Sequence, residues 1–158
     1  MGVSGAGKTT VGTRLAAALG WPFHEADDYH SEQARARMAQ GTPLTDADRA
    51  PWLGRLSRLI ADAAAAGQSM VLACSALKQA YRRQLAAAGG AAAVVFVYLK
   101  IPKSVAEQRL KQRKGHFATA DLAPSQFADL EEPDDAIVVD ATRSPEELVA
   151  TIRRQLAA

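Results

Sequence analysis

Apolar residues first recur at helical spacing near the start of the chain. Val11, Leu15 and Leu19 share one face of a helix expected over residues 8–19, and Gly20 ends it. Residues 21–25 (WPFHE) read as a brief strand. Residues 31–40 form a polar helix closed by Gly41, and Pro43-Leu44-Thr45 is a turn. A longer helix is expected over residues 46–66, with Trp52, Leu56, Leu59 and Ala63 aligned; Pro51 predicts a short turn first and a main helix starting near it. Residues 69–74 (SMVLAC) are a compact apolar strand, and Leu77, Tyr81 and Leu85 mark the helix that follows. Residues 92–100 (AAVVFVYLK) are a continuous apolar run, as in a central parallel strand. Pro102 opens a helix to about residue 113. Residues 115–124 read as a loop, 125–130 as a short helix and 137–140 as the last strand. Ser144-Pro145-Glu146-Glu147 is a capping box with proline at the first helical position, which predicts a final helix. Strands alternating with helices define an α/β fold, a mostly parallel sheet covered on both faces, with ligands held beyond the carboxyl ends of its strands.

Composition narrows the class. The 158 residues are 48% hydrophobic and 23% charged, ordinary for one globular domain spanning residues 1–158. A formal net charge of +2 does not imply nucleic-acid binding. One cysteine excludes an internal disulfide and fits a cytoplasmic protein. No apolar run has the length of a membrane span, and the N-terminus lacks a signal-peptide pattern.

The chemistry begins at the first residues. Gly2-Val3-Ser4-Gly5-Ala6-Gly7-Lys8-Thr9 fits G-x-x-x-x-G-K-[ST] at every fixed position. Glycines let successive backbone N–H groups of residues such as Ser4, Gly5, Ala6 and Gly7 turn toward phosphate oxygens, and the following helix adds its positive end, with Thr10 in its first turn. Lys8 is expected to bridge the β- and γ-phosphates, and the Thr9 hydroxyl to ligate Mg²⁺. The plainer alternative is a glycine-rich turn that merely starts a helix; lysine, threonine and helix together favour the nucleotide. A loop of this kind normally follows a buried central strand, and this sequence supplies none. The expectation is that Met1 is an internal methionine of a longer natural chain, and that roughly six to eight upstream apolar residues raise stability.

A nucleotide switch or motor is disfavoured. No N-K-x-D is present, and the strand over residues 69–74 ends in Cys74-Ser75 with no acid. A small-molecule kinase is the favoured reading. Asp27 follows the second strand and faces the loop, where a carboxylate can orient an acceptor hydroxyl and take its proton; a solvated acidic turn is the alternative. His30 either donates to the acceptor or caps the next helix. Lys78 and Arg82 are four apart on one helical face, able to meet an anionic acceptor or to form a solvated surface, with Tyr81 on the inner stripe.

The stretches MGVSGAGKT, ADDYH, GTPLTDADRAPWL, CSALKQAYR, YLK, RLKQRKGHF, SQFADLEEP and VVD, in that order, resemble the gluconokinase family, relatives of the shikimate and nucleoside-monophosphate kinases with a three-layer P-loop NTP hydrolase-like fold. The resemblance implies ATP-dependent phosphorylation of D-gluconate to 6-phospho-D-gluconate with Mg²⁺. The alternatives are a kinase for another small acid or polyol such as shikimate, or a nucleotide-binding protein without transferase activity. It implies Lys8, Asp27 and Arg113 as catalytic residues, with Glu25 beside the magnesium waters. ATP would be held by Gly2, Ser4, Gly5, Ala6, Gly7, Lys8, Thr9, Thr10, Arg109 and Arg113, Arg109 stacking on adenine and Arg113 meeting the phosphates. Asp27, His30, Lys78, Arg82 and His116 would meet the acceptor, with a lid over residues 114–124 and acceptor-side helices over 31–66. Arg49 is a weaker acceptor candidate, and the turn over residues 140–143 should lie near adenine. A homodimer is a further implication. The family's H-P-x-x-N-x-x-K-M pattern is here His30-Ser31, Ala34 and Arg37-Met38, which leaves out one polar acceptor contact.

Overall fold

The computed structural model describes residues 1–90, 94–113 and 123–158. Seven helices and four short strands alternate among them: α1 Lys8–Leu19, β1 Phe23–Glu25, a 3₁₀ turn Ala26–Tyr29, α2 Glu32–Ala39, α3 Asp46–Ala65, β2 Val71–Ala73, α4 Gln79–Ala88, β3 Val97–Lys100, α5 Lys103–Gln112, α6 Ala123–Asp129, β4 Ile137–Asp140 and α7 Pro145–Leu156.

The strands form two parallel pairs. Phe23 lies opposite Val71 in β1–β2, and Val97 opposite Ile137 in β3–β4. Residues at the chain start tie the pairs together. The Met1 amine donates to the Val97 carbonyl, Leu99 N–H donates to the Met1 carbonyl (3.0 Å), and Gly2 N–H donates to the Ser75 carbonyl (3.1 Å). Met1 and Gly2 thus supply the last rung of a strand between β2 and β3. Below that rung a cavity of about 630 Å³ is lined by Val11, Leu15, Ile60, Leu72, Leu85 and Phe96, among others. It fills the place a central strand takes in a parallel sheet of this kind.

Side-chain alternation builds the layers. Val71, Val97, Leu99, Ile137 and Val139 pack with Val11, Leu15, Leu148 and Ile152 of α1 and α7. Leu72, Cys74 and Phe96 pack on the other face with Trp52, Leu53, Leu56 and Ile60 of α3 and with Tyr81 and Leu85 of α4. This is the expected three-layer α/β/α arrangement.

Three local expectations are corrected. Helix α3 runs unbroken through Pro51. The proline removes one bond, to the carbonyl of Ala47, an exposed residue whose backbone solvent can reach. A reciprocal Thr45–Asp48 capping box holds the first turn, and burial of Trp52, Leu53, Leu56 and Ile60 holds the rest, a stripe one step off the one expected. Helix α4 starts at Gln79, so Lys78 is its N-cap and not part of its face. The strand read over residues 92–100 pairs only from Val97, where β4 lies beside it; residues 91–93 lie outside the described part. The Ser144–Glu147 capping box forms as expected. Among the described residues no helix is long and apolar enough to cross a membrane.

Candidate active site

The glycine-rich loop closes directly into α1. Gly7 is the N-cap at φ 93°, with no side-chain cap and no acid in the first turn, so the helix's leading N–H groups stay open. Gly5 sits at φ +87°, where an added Cβ would lie 2.7 Å from the Ala106 carbonyl oxygen; only glycine lets the loop press against α5 there. Lys8 donates from Nζ to the Val3 carbonyl (3.0 Å), and Ser4 N–H donates to Gln126 Oε1 (2.6 Å). Burial lowers the Lys8 pKa, while the charges of Asp27 and Glu25 pull it back up. The lysine and the two carboxylates therefore share one electrostatic neighbourhood.

β1 delivers those carboxylates. Glu25 ends the strand and Asp27 begins the 3₁₀ turn beyond it, at the carboxyl edge. Asp27 is exposed. Thr9 Oγ1 donates to Glu25 Oε2 (2.5 Å). Burial raises the Glu25 pKa against the pull of that hydrogen bond. Hydroxyl and carboxylate oxygens side by side are hard donors and suit Mg²⁺. No group of three or more His, Cys, Asp or Glu forms a ready cage among the described residues, so a magnesium ion here would take its remaining ligands from phosphates and water.

On the loop's other side a cavity of about 300 Å³ is lined by Gly7, Thr10, Arg109, Arg113 and Arg143, among others. Arg109 is fixed by the loop and the β4–α7 turn: Nη1 donates to the Gly5 carbonyl (3.3 Å) and Nη2 to the Ala141 carbonyl (2.9 Å). The structure thus brings Arg109, Arg113, Ala141 and Arg143 to the wall of one cavity. Arg143 was missed as a side chain; its signal was its place just beyond the last strand's carboxyl end.

The acceptor side differs from expectation in one element. Arg82 does not share a helical face with Lys78. It is 5% exposed, and Nη1 donates to the carbonyls of Ala76 (2.9 Å) and Leu77 (3.0 Å). Ala76 holds a left-handed φ of 45°, costly for a residue with a Cβ, and Arg82 braces that bend. Lys78, set at the N-cap, reaches Asp46 Oδ1 (2.9 Å) instead. Tyr81 packs in the core, as read from its stripe, and its hydroxyl also donates to Asp46 and accepts from Arg49 (3.0 Å). Arg49 in turn pairs with Asp129 of α6 (3.2 Å). His30 stacks on Trp52 with ring centroids 4.4 Å apart, and burial lowers its pKa. The His30 backbone N–H bonds the Asp27 carbonyl (3.3 Å), while Ser31, not His30, caps α2. His116, and residues 114–122 of the expected lid, lie outside the described residues; residues 123 and 124 belong to α6.

A loop that fits G-x-x-x-x-G-K-[ST] and closes directly onto an uncapped helix N-terminus, in an α/β fold with parallel strands, places the chain among the ATP-binding P-loop kinases. A family model described as an AAA domain matches residues 1–133. A probable gluconokinase of Mus musculus is 44% identical over 174 residues, covering 99% of this chain and 95% of that one. A solved sugar kinase from Janibacter sp. HTCC2649 is 43% identical with a TM-score of 0.92, covering 99% of this chain and 91% of that one. A solved gluconokinase from Sinorhizobium meliloti 1021 is 36% identical with a TM-score of 0.86, covering 99% and 89%. The chain belongs to the gluconokinase family and carries the AAA-domain match across most of its length.

Proposed function

We propose that the chain transfers the γ-phosphoryl group of ATP to the terminal hydroxyl of D-gluconate, giving 6-phospho-D-gluconate and ADP. The observation that carries this is geometric: β1 ends on Glu25, which accepts from Thr9 of the phosphate loop at 2.5 Å, and Asp27 stands two residues beyond it at the same strand end. The loop's N–H groups and Lys8 hold the β- and γ-phosphates. Asp27 orients the acceptor hydroxyl and takes its proton as the oxygen–phosphorus bond forms. Lys8, joined by Arg113, balances the charge that gathers on the moving phosphoryl group and the leaving ADP. Arg109 holds one wall of the nucleotide cavity. Thr9 and Glu25 would hold Mg²⁺, which offsets phosphate charge when bound. Lys78 and Arg49 offer cations to the acid's carboxylate, His30 and Tyr81 sit beside them, and Arg82 supports the loop that carries Lys78. The reading extends to a cytoplasmic homodimer, which light scattering of the purified chain checks for assembly.

A coupled assay of ADP release across a panel of sugar acids, polyols and shikimate tests the function. D-gluconate should give the highest kcat/KM. Preference for another member of the panel, or nucleotide binding with no acceptor-dependent ADP release, overturns it.

A further inference from the structure

Gln126 stands 122 positions from Ser4 in sequence, yet its carboxamide oxygen accepts the Ser4 N–H at 2.6 Å. Ser4 is the third residue of the phosphate loop. Three residues further along α6, Asp129 Oδ2 accepts from both Nη1 and Nη2 of Arg49 on α3, each at 3.2 Å. The chain leaving α6 is anchored next: Glu131 N–H donates to the Leu77 carbonyl (2.9 Å), and Glu131 Oε2 accepts from Gln79 N–H (2.6 Å). At the other end Ala123 is fully buried. Helix α6 is therefore a strap held at both ends, with one side chain on the nucleotide loop and one on the acceptor-side helix.

The chemistry at the two contacts differs in a useful way. A terminal phosphate entering the loop competes with the Gln126 oxygen for the Ser4 N–H. A carboxamide can yield that donor without repelling the phosphate and can turn its own N–H₂ toward it; a carboxylate in the same place could do neither. At Arg49, an anionic acceptor competes with Asp129 for one guanidinium. Both exchanges pull on the same short helix.

We propose that Gln126 is a positioning residue that hands the Ser4 amide to the nucleotide's terminal phosphate, and that α6 carries this exchange to Arg49 through Asp129, coupling nucleotide and acceptor binding. The proposal rests on the two-substrate kinase reading and deepens it. Calorimetric titration of D-gluconate with and without a saturating non-hydrolysable ATP analogue should show tightening by about fivefold or more in the unaltered chain. Gln126→Ala and Asp129→Asn should each reduce that factor below about twofold, and the double variant should do no more than either alone. Gln126→Glu should weaken the analogue by about tenfold or more, and Gln126→Ala by less. Amide hydrogen exchange of Ser4, read by NMR without any acid present, should quicken in Asp129→Asn. Coupling that is absent in the unaltered chain, or that survives both single variants, overturns the proposal. So does Ser4 exchange unmoved by Asp129→Asn. If D-gluconate does not bind at all, the assigned acceptor is wrong, while Ser4 exchange still decides the role of α6.

Discussion

In a chain that begins at Met1, the α-amine is folded against the Val97 carbonyl at the head of the slot between β2 and β3. Burial lowers its pKa from 8.0 to about 5; the Lys8 charge pushes the same way and Cys74 opposes. The unfolded chain binds this proton near pH 8, and the folded chain refuses it until near pH 5. Above pH 8 both states are neutral and folding carries no penalty. As pH falls from 8 toward 5 the unfolded state gains a proton the folded state does not, so stability is lost across that window and levels off below it. About three pKa units at about 1.4 kcal/mol each give about 4 kcal/mol as the ceiling. That is roughly 10 °C in Tm for a chain of this size.

N-terminal acetylation isolates the effect. An acetylated Met1 keeps an N–H to donate to Val97 and has no charge to lose. Urea unfolding of free and acetylated chains at pH 8.5, 7 and 5.5 gives two stability curves. Their difference should be flat above pH 8 and open by several kcal/mol by pH 5.5, the acetylated chain being the more stable. His30 and Glu25 also titrate with burial-shifted pKa values, but they do so in both chains and cancel. Parallel curves from pH 8.5 to 5.5 would refute the reasoning, since a buried amine cannot stay indifferent to its own protonation.

Lys8→Ala should cut turnover by about 10²–10³-fold, and Asp27→Asn by about 10²–10⁴-fold with ATP-analogue affinity held within about twofold; an Asp27→Asn enzyme near normal turnover removes that acid from the mechanism. Arg82→Met should lower stability by about 2 kcal/mol in urea unfolding, because the Ala76 and Leu77 carbonyls lose their donor, the loss being partly offset by removal of a buried charge. Fusing roughly six to eight apolar, β-prone residues ahead of Met1 should fill the slot and raise Tm, with unchanged Tm counting against the slot as a strand site.

The fold was legible wherever the signal is local. Gly20 closes α1, the Ser144–Glu147 box opens α7, and the loop glycines take the turns their sequence demands. It was misread where a distant partner overrides a local rule. Pro51 argues for a break, but α3 is pulled through it by burial of Trp52 and Leu56 against the sheet. Lys78 and Arg82 read as one helical face only if the helix includes Lys78. It starts one residue later because the left-handed bend at Ala76 must finish first, and that bend is held by Arg82 reaching back beneath it.

The site divides along the same line. Lys8, Thr9 and Asp27 could be named as candidates because the pattern that singles them out lies in adjacent residues or at the end of a strand. Gln126 was not, because its partner lies 122 positions away, and Arg49 was read only as a weaker acceptor candidate, its link to Asp129, 80 positions on, being a distance at which no periodicity survives. The groups they complete explain why the loop needs them. Lys8 donates to Val3, Ser4 to Gln126 and Thr9 to Glu25, so nucleotide binding here is an exchange of partners. A neutral ligand would offer these donors bonds no better than those it displaces. At Ser4, where the present acceptor is the neutral Gln126 oxygen, a polyphosphate offers a charge-assisted bond roughly twice as strong. The protein's own acceptors thus set a threshold that only an anion of high charge crosses.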